Sequence, residues 1–186
     1  LAAEDTRFFE HVGIDLVGIA RAALVNLVAG GTEQGASTIT MQLAREFFLS
    51  SERTYTRKII EILLALRIED NLSKEQIFEL YLNQIYLGKR SYGFAAASQT
   101  YFGKPLTKLS AAEAAVLAGL PKAPSRFNPM VNPKRAIERQ RYILGRMRES
   151  GSLSAADYAS ALAQQLVFNP ARTEYPVHAP YVAELA

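Results

Sequence analysis

The sequence predicts a mainly α-helical protein, and three observations predict it. Ala and Leu, both strong helix formers, supply 50 of the 186 residues. Apolar side chains recur at three- and four-residue intervals over long runs. Asp15, Ser73, Ser110 and Ser154 each open such a run where a helix needs a capping oxygen. At this length the chain makes about one compact unit with a short appendage.

The elements follow in order. From Asp15 to Gly31, residues Leu16, Ile19, Ala20, Ala23, Leu24, Leu27 and Val28 mark one apolar stripe, with Asp15 as N-cap and Gly30-Gly31 as the stop. The polar, glycine-rich stretch from Gly30 to Ser37 reads as a flexible loop, and a new helix is expected from Ser37 or Thr38. Eight of the ten residues from Ile59 to Ile68 are apolar, which predicts a helix buried nearly all round. Capping boxes place further helix starts at Ser73 with Gln76 and Ser110 with Glu113, and more loosely at Ser154 with Asp157. Four prolines between Pro121 and Pro133 predict an ordered irregular crossing, and Arg135 to Glu149 a basic helix. Residues 1–168 form the expected domain, and 169–186 read as a linker toward a further domain.

Composition narrows the chemistry. There is no cysteine, so disulfides, thiolate catalysis and zinc–thiolate sites are excluded. His11 and His178 are the two histidines, far apart in sequence, which argues against a histidine metal site. A net charge of +3 offers no continuous polyanion-binding face, and no nucleic acid is expected as partner. No apolar run reaches the ~18 residues of a membrane span, so any anchor is expected upstream of residue 1.

Three clusters can carry chemistry. Glu61 sits in the apolar helix with Arg57 and Lys58 one turn earlier, within about 60° of its face. Two cations and one carboxylate there make either a structural ion pair or a clamp for an anionic ligand such as phosphate. Glu4 and Asp5 precede Arg7, Phe8, Phe9, His11 and Gly13; a carboxylate beside aromatic rings is desolvated and suited to proton transfer. The alternative is an acidic helix start with Phe8 and Phe9 in the core. Gly35, Ser37, Thr38 and Gln42, followed by Arg45, bring small residues and hydroxyls to a helix start, an anion or sugar site or simply a Ser/Thr cap.

In this order and spacing the clusters resemble the motifs of the peptidoglycan glycosyltransferases, the catalytic modules of class A bifunctional penicillin-binding proteins and of monofunctional transglycosylases. The first motif is matched by Glu4, Asp5, Phe8, His11 and Gly13, the second by Gly35, Ser37, Thr38 and Gln42, and the third by Arg57, Lys58 and Glu61. The fourth runs from Lys74 to Asn83 and the fifth from Gly93 to Lys104, with similarity continuing through Lys122 to about residue 168. Two positions depart: Met41 stands where many members have Gln, and Glu46 where Asn is frequent.

The resemblance implies a lysozyme-like helical head lobe and a smaller apolar jaw lobe that dips into the membrane, with Phe47-Phe48-Leu49 on the membrane-facing side. It implies polymerisation of lipid II into glycan strands on the outer, periplasmic face of a bacterial cytoplasmic membrane, with release of undecaprenyl pyrophosphate. Glu4 would be the general base and Glu61 would assist the leaving pyrophosphate. Arg45, Arg57, Lys58 and Lys122 would balance its charge, while Asp5, Phe8, His11, Ser37, Thr38 and Gln42 would bind or position substrate. No cofactor is obligatory, with a divalent cation (Mg or Mn) allowed at the pyrophosphate, and further partners would be those of cell-wall synthesis complexes. The alternatives are a lytic transglycosylase or lysozyme-like hydrolase, and a non-enzymatic module binding through the basic helix. No Ser-x-x-Lys occurs, so penicillin-sensitive acyl transfer is not expected in this chain.

Overall fold

The structure, a computed structural model, describes residues 1–2, 4–30, 35, 37–48 and 54–169. Among them are eight α-helices: α1 (Leu16–Ala29), α2 (Ile39–Phe48), α3 (Tyr55–Asn71), α4 (Lys74–Gln84), α5 (Phe94–Phe102), α6 (Ala111–Gly119), α7 (Pro133–Glu149) and α8 (Ala155–Ala163). A short 3₁₀ turn lies at Leu106–Lys108, and the sole β-type pairing among the described residues is a bridge from Tyr86 to Tyr92. The mainly helical expectation holds. The expected loop between Gly30 and Gly35, Leu49, and the linker from residue 170 onward fall outside the described residues.

The caps form where the sequence places them. Asp15 accepts from the Gly18 amide, and Gly30 closes α1 in the left-handed region that a β-carbon would penalise, its amide donating to the Asn26 carbonyl. Ser73 with Gln76 and Ser110 with Glu113 form complete capping boxes. Ser154 caps α8 through the Asp157 amide, but Asp157 turns to the Ser154 hydroxyl (2.6 Å), so the box stays half-made. α2 begins one residue later than expected, with the Thr38 hydroxyl accepting from the Met41 amide.

Two apolar clusters hold the helices. The larger joins Phe8 to Ile39 and Leu43 of α2, Ile77 and Tyr81 of α4, Tyr101 of α5, and Leu117 and Leu120 at the end of α6. The smaller joins Ala112 and Ala115 of α6 to Ile143 and Leu144 of α7 and Ala161 of α8. α6 belongs to both: Val116 and Leu117 enter the larger cluster, while the five alanines of AAEAAVLAG let neighbours approach closely.

One expectation is overturned. α3 is not buried nearly all round: within it Glu61 and Ala65 are buried, whereas Ile59 and Leu63 are about three-fifths exposed (59% and 60%). α1 likewise turns Leu16, Leu24, Leu27 and Val28 outward. Apolar periodicity identifies a face but not what covers it. No helix among the described residues is long and apolar enough to cross a membrane.

Two truncations separate core from outer face. Leu117→Ala, at a fully buried position, is expected to cost about 2–5 kcal/mol in urea unfolding. Leu63→Ala is expected to stay within about 0.5 kcal/mol.

Candidate active site

Glu4 lies on the turn-rich segment before α1. Gln42 of α2 donates its side-chain amide to Glu4 Oε2 (3.2 Å), and an Arg139 guanidinium N–H from α7 reaches Oε1 (3.2 Å). Gln42 is oriented in turn by the Tyr81 hydroxyl, which donates to its carbonyl at 3.5 Å. Burial pushes the Glu4 carboxyl above its usual range, against the opposing pull of Arg139, Gln42 and Lys122. The desolvation has a visible source. Glu4 lines a polar cavity of about 260 Å³ on one side and an apolar one of about 220 Å³ on the other, walled by Ile39, Phe78, Leu82 and Leu117.

Asp5, beside it, holds the frame. Its carboxylate accepts from His11 Nε2 (3.0 Å) and from the Ile39 amide at the start of α2 (3.1 Å), pinning the first segment to a positive helix end. The Thr38 hydroxyl donates to the Gly13 carbonyl (2.6 Å). Gly13 has φ +82°, and a β-carbon there would press on the Ala65 backbone at 3.1 Å, so this residue lets the segment touch α3.

The cluster on α3 is a buried carboxylate ringed by cations. Lys58 Nζ lies 2.8 Å from Glu61 Oε2, while Arg45 of α2 and Arg57 lie 3.8 and 4.0 Å from Oε1. Lys58 also donates to the Ser37 hydroxyl at 3.0 Å. Glu61 is 1% exposed, and its Oε1 and the Arg57 Nε have no hydrogen-bond partner among the described residues.

The polar cavity therefore receives some of the expected residues and not others. Glu4, Asp5, Ser37, Thr38, Gln42, Arg45 and Lys122 line it. Phe8 is in the core, tilted against Phe78 with ring centres 5.9 Å apart, while Phe9 is half-exposed. His11 sits behind Asp5, and Arg57, Lys58 and Glu61 stand behind Arg45, outside the lining. Met41 is buried in the core and Glu46 is exposed, joining none of the ion pairs around Glu61.

Sequence reasoning predicted α7 as a basic helix but missed its place at the site. Arg139, Tyr142 and Arg146 line the cavity, as does Arg21 of α1. The three α7 residues are spaced i, i+3, i+7, one helical face, and that spacing was the available signal. Gly119 makes room for Arg139, because a β-carbon there would stand 2.8 Å from its Cγ.

The donors do not suit a divalent cation. No three acidic or histidine side chains cluster for one among the described residues, and Glu61 is surrounded by positive charge. A cation at a bound pyrophosphate would have to take its ligands from the phosphates.

A family model described as Transglycosylase matches residues 1–148. A penicillin-binding protein 1A of Neisseria flavescens is 55% identical over 186 residues, covering all of this chain and 23% of that protein. The Haemophilus influenzae penicillin-binding protein 1A is 51% identical over 185 residues, 22% of its length. A 2.6 Å crystal structure of the Haemophilus influenzae protein superposes with a TM-score of 0.51 at 36% identity, covering 79% of this chain and 18% of that one. The chain thus spans less than a quarter of the length of these relatives.

The Glu4 environment predicts two results. Because the native carboxyl titrates above its unfolded value of 4.5, its charge destabilises the fold at neutral pH, and Glu4→Gln should melt higher than wild type at pH 7. The gap should close below about pH 4, where both states are protonated. Arg139→Gln should raise the Glu4 titration midpoint further in carboxyl-resolved NMR, since the removed cation favoured the carboxylate.

Proposed function

The chain belongs to the transglycosylase family as the glycosyltransferase module of a class A penicillin-binding protein, and from that premise we propose that it joins lipid II units into glycan strands with Glu4 as general base. The observation carrying this reading is a desolvated carboxyl on the wall of a polar cavity, oriented from two sides by Gln42 and Arg139. A carboxylate whose pKa is raised is a stronger base toward the acceptor's hydroxyl proton than an ordinary one.

In the reaction proposed, the 4-hydroxyl of the acceptor sugar gives its proton to Glu4 while its oxygen attacks the anomeric carbon of the donor. The bond from that carbon to the pyrophosphate breaks on the opposite face, and the leaving diphosphate keeps the electron pair. One displacement inverts the anomeric centre, as in inverting glycosidases with a hydroxyl in place of water. Arg45 and Lys122, at the cavity, face the growing charge, with Arg57 and Lys58 behind them. One such donor contributes about 3 kcal/mol to a transition state of this kind.

The role that fits Glu61 is assembly of the cations. Buried and off the cavity wall, it offsets the mutual repulsion of Arg45, Arg57 and Lys58 without competing for the anion. A hydrolase would leave these cations without a charge to meet, so the glycan-cleaving reading is weaker. The outward apolar residues of α1, the α2 end (Phe47, Phe48) and α3 (Ile59, Leu63) form the membrane-facing jaw in this reading. A lipid-borne substrate is then delivered at the outer face of the cytoplasmic membrane.

Glu4→Gln should leave circular dichroism unchanged and lower lipid II polymerisation by at least about 100-fold; near-normal turnover would refute the base assignment. Arg57→Glu should weaken calorimetric binding of a phosphoglycolipid of the moenomycin type by about tenfold or more. Unchanged binding would remove the phosphate clamp.

A further inference from the structure

We propose that Tyr142 and Arg146 of α7 form a second subsite in the polar cavity, for a hexose ring carrying a carboxylate-bearing substituent. It deepens the reading above and rests on it. Three observations lead there.

First, α7 presents Arg139, Tyr142 and Arg146 to the cavity on one face, and they are differently employed. Arg139 is committed to Glu4 at 3.2 Å, with its guanidinium carbon 4.9 Å from the centre of the Tyr142 ring. That contact fixes the ring, yet Tyr142 remains 48% exposed in the mouth of the cavity. A held, half-open aromatic face is the usual platform against which the apolar face of a sugar rests.

Second, Arg146 lies two turns beyond Arg139, about 10 Å along the axis. Its present partner is the exposed carboxylate of Glu149, 2.6 Å away and three residues on. An exposed pair at that spacing contributes little to stability, so an incoming carboxylate exchanges for Glu149 at little cost. Glu149 shows the chemistry that Arg146 accepts.

Third, the remaining cations are arranged differently. Around Glu61, Arg45, Arg57 and Lys58 converge on one point, as a diphosphate requires. Arg146 meets the cavity on α7 with Arg21 of α1 as the other wall cation outside that cluster and away from Glu4. A separate guanidinium beside a sugar platform suits a carboxylate on a substituent of the ring, which in lipid II is the peptide.

The test is binding, so it does not depend on turnover. Chemical-shift titrations of the chain would use three lipid-free ligands: a disaccharide carrying the acidic pentapeptide, the same with its carboxylates amidated, and a peptide-free chitobiose pyrophosphate, which has no lactyl carboxylate either. Wild type should bind the acidic form about tenfold better than the amidated one. Arg146→Ala should erase that preference and leave the peptide-free ligand unchanged, whereas Tyr142→Leu should weaken all three. Equal binding of acidic and amidated forms by wild type, or an Arg146→Ala loss confined to the pyrophosphate ligand, would overturn the assignment. Glu4→Gln should retain the wild-type preference. Failure of the base assignment therefore shows in polymerisation, and failure of the subsite shows in these titrations.

Discussion

The contact on which the site depends is the one between Glu4 and Arg139, 135 residues apart in sequence. A carboxyl between an apolar cavity and a polar one is pushed toward its neutral form by desolvation. A guanidinium at 3.2 Å restores part of its acidity without closing the cavity. Everything that places Arg139 therefore acts on Glu4: the small face of α6 at Gly119, the packing of α6 on α7, and the Phe127 and Tyr142 rings beside the guanidinium.

A second constraint is charge balance at the other end. Three cations cannot be gathered beside a polar cavity unless something offsets their repulsion, and Glu61, 1% exposed and outside the cavity lining, does so. Removing Glu61 would leave the cations mutually repelled, and removing them would leave a buried carboxylate unpaired, the costlier error. The carboxylate and its cations are thus interdependent in folding, and in the proposed reaction the cations act where Glu61 cannot.

Much of this was legible in the sequence because it is local. The caps at Asp15, Ser73, Ser110 and Ser154, and the convergence of Arg57 and Lys58 on Glu61, follow from helix geometry over three or four residues. What could not be read is tertiary. Nothing near Arg139 announces Glu4, and its helix reads as a solvated basic face. The apolar runs of α1 and α3 read as core, although many of their residues point outward, because apolar periodicity marks a face without saying what covers it. Phe8 and His11 belong to the same motif as Glu4, yet both stand behind the cavity, where they support its wall.

The pH dependence of kcat/KM for lipid II polymerisation tests the central claim most directly, because it reports the ionisation of the free enzyme's essential base. A single acidic limb with its midpoint above the ordinary carboxylate value of 4.5 is the result expected of a Glu4 held between two cavities. A limb at or below that value, or a rate independent of pH across the acidic range, would contradict the account.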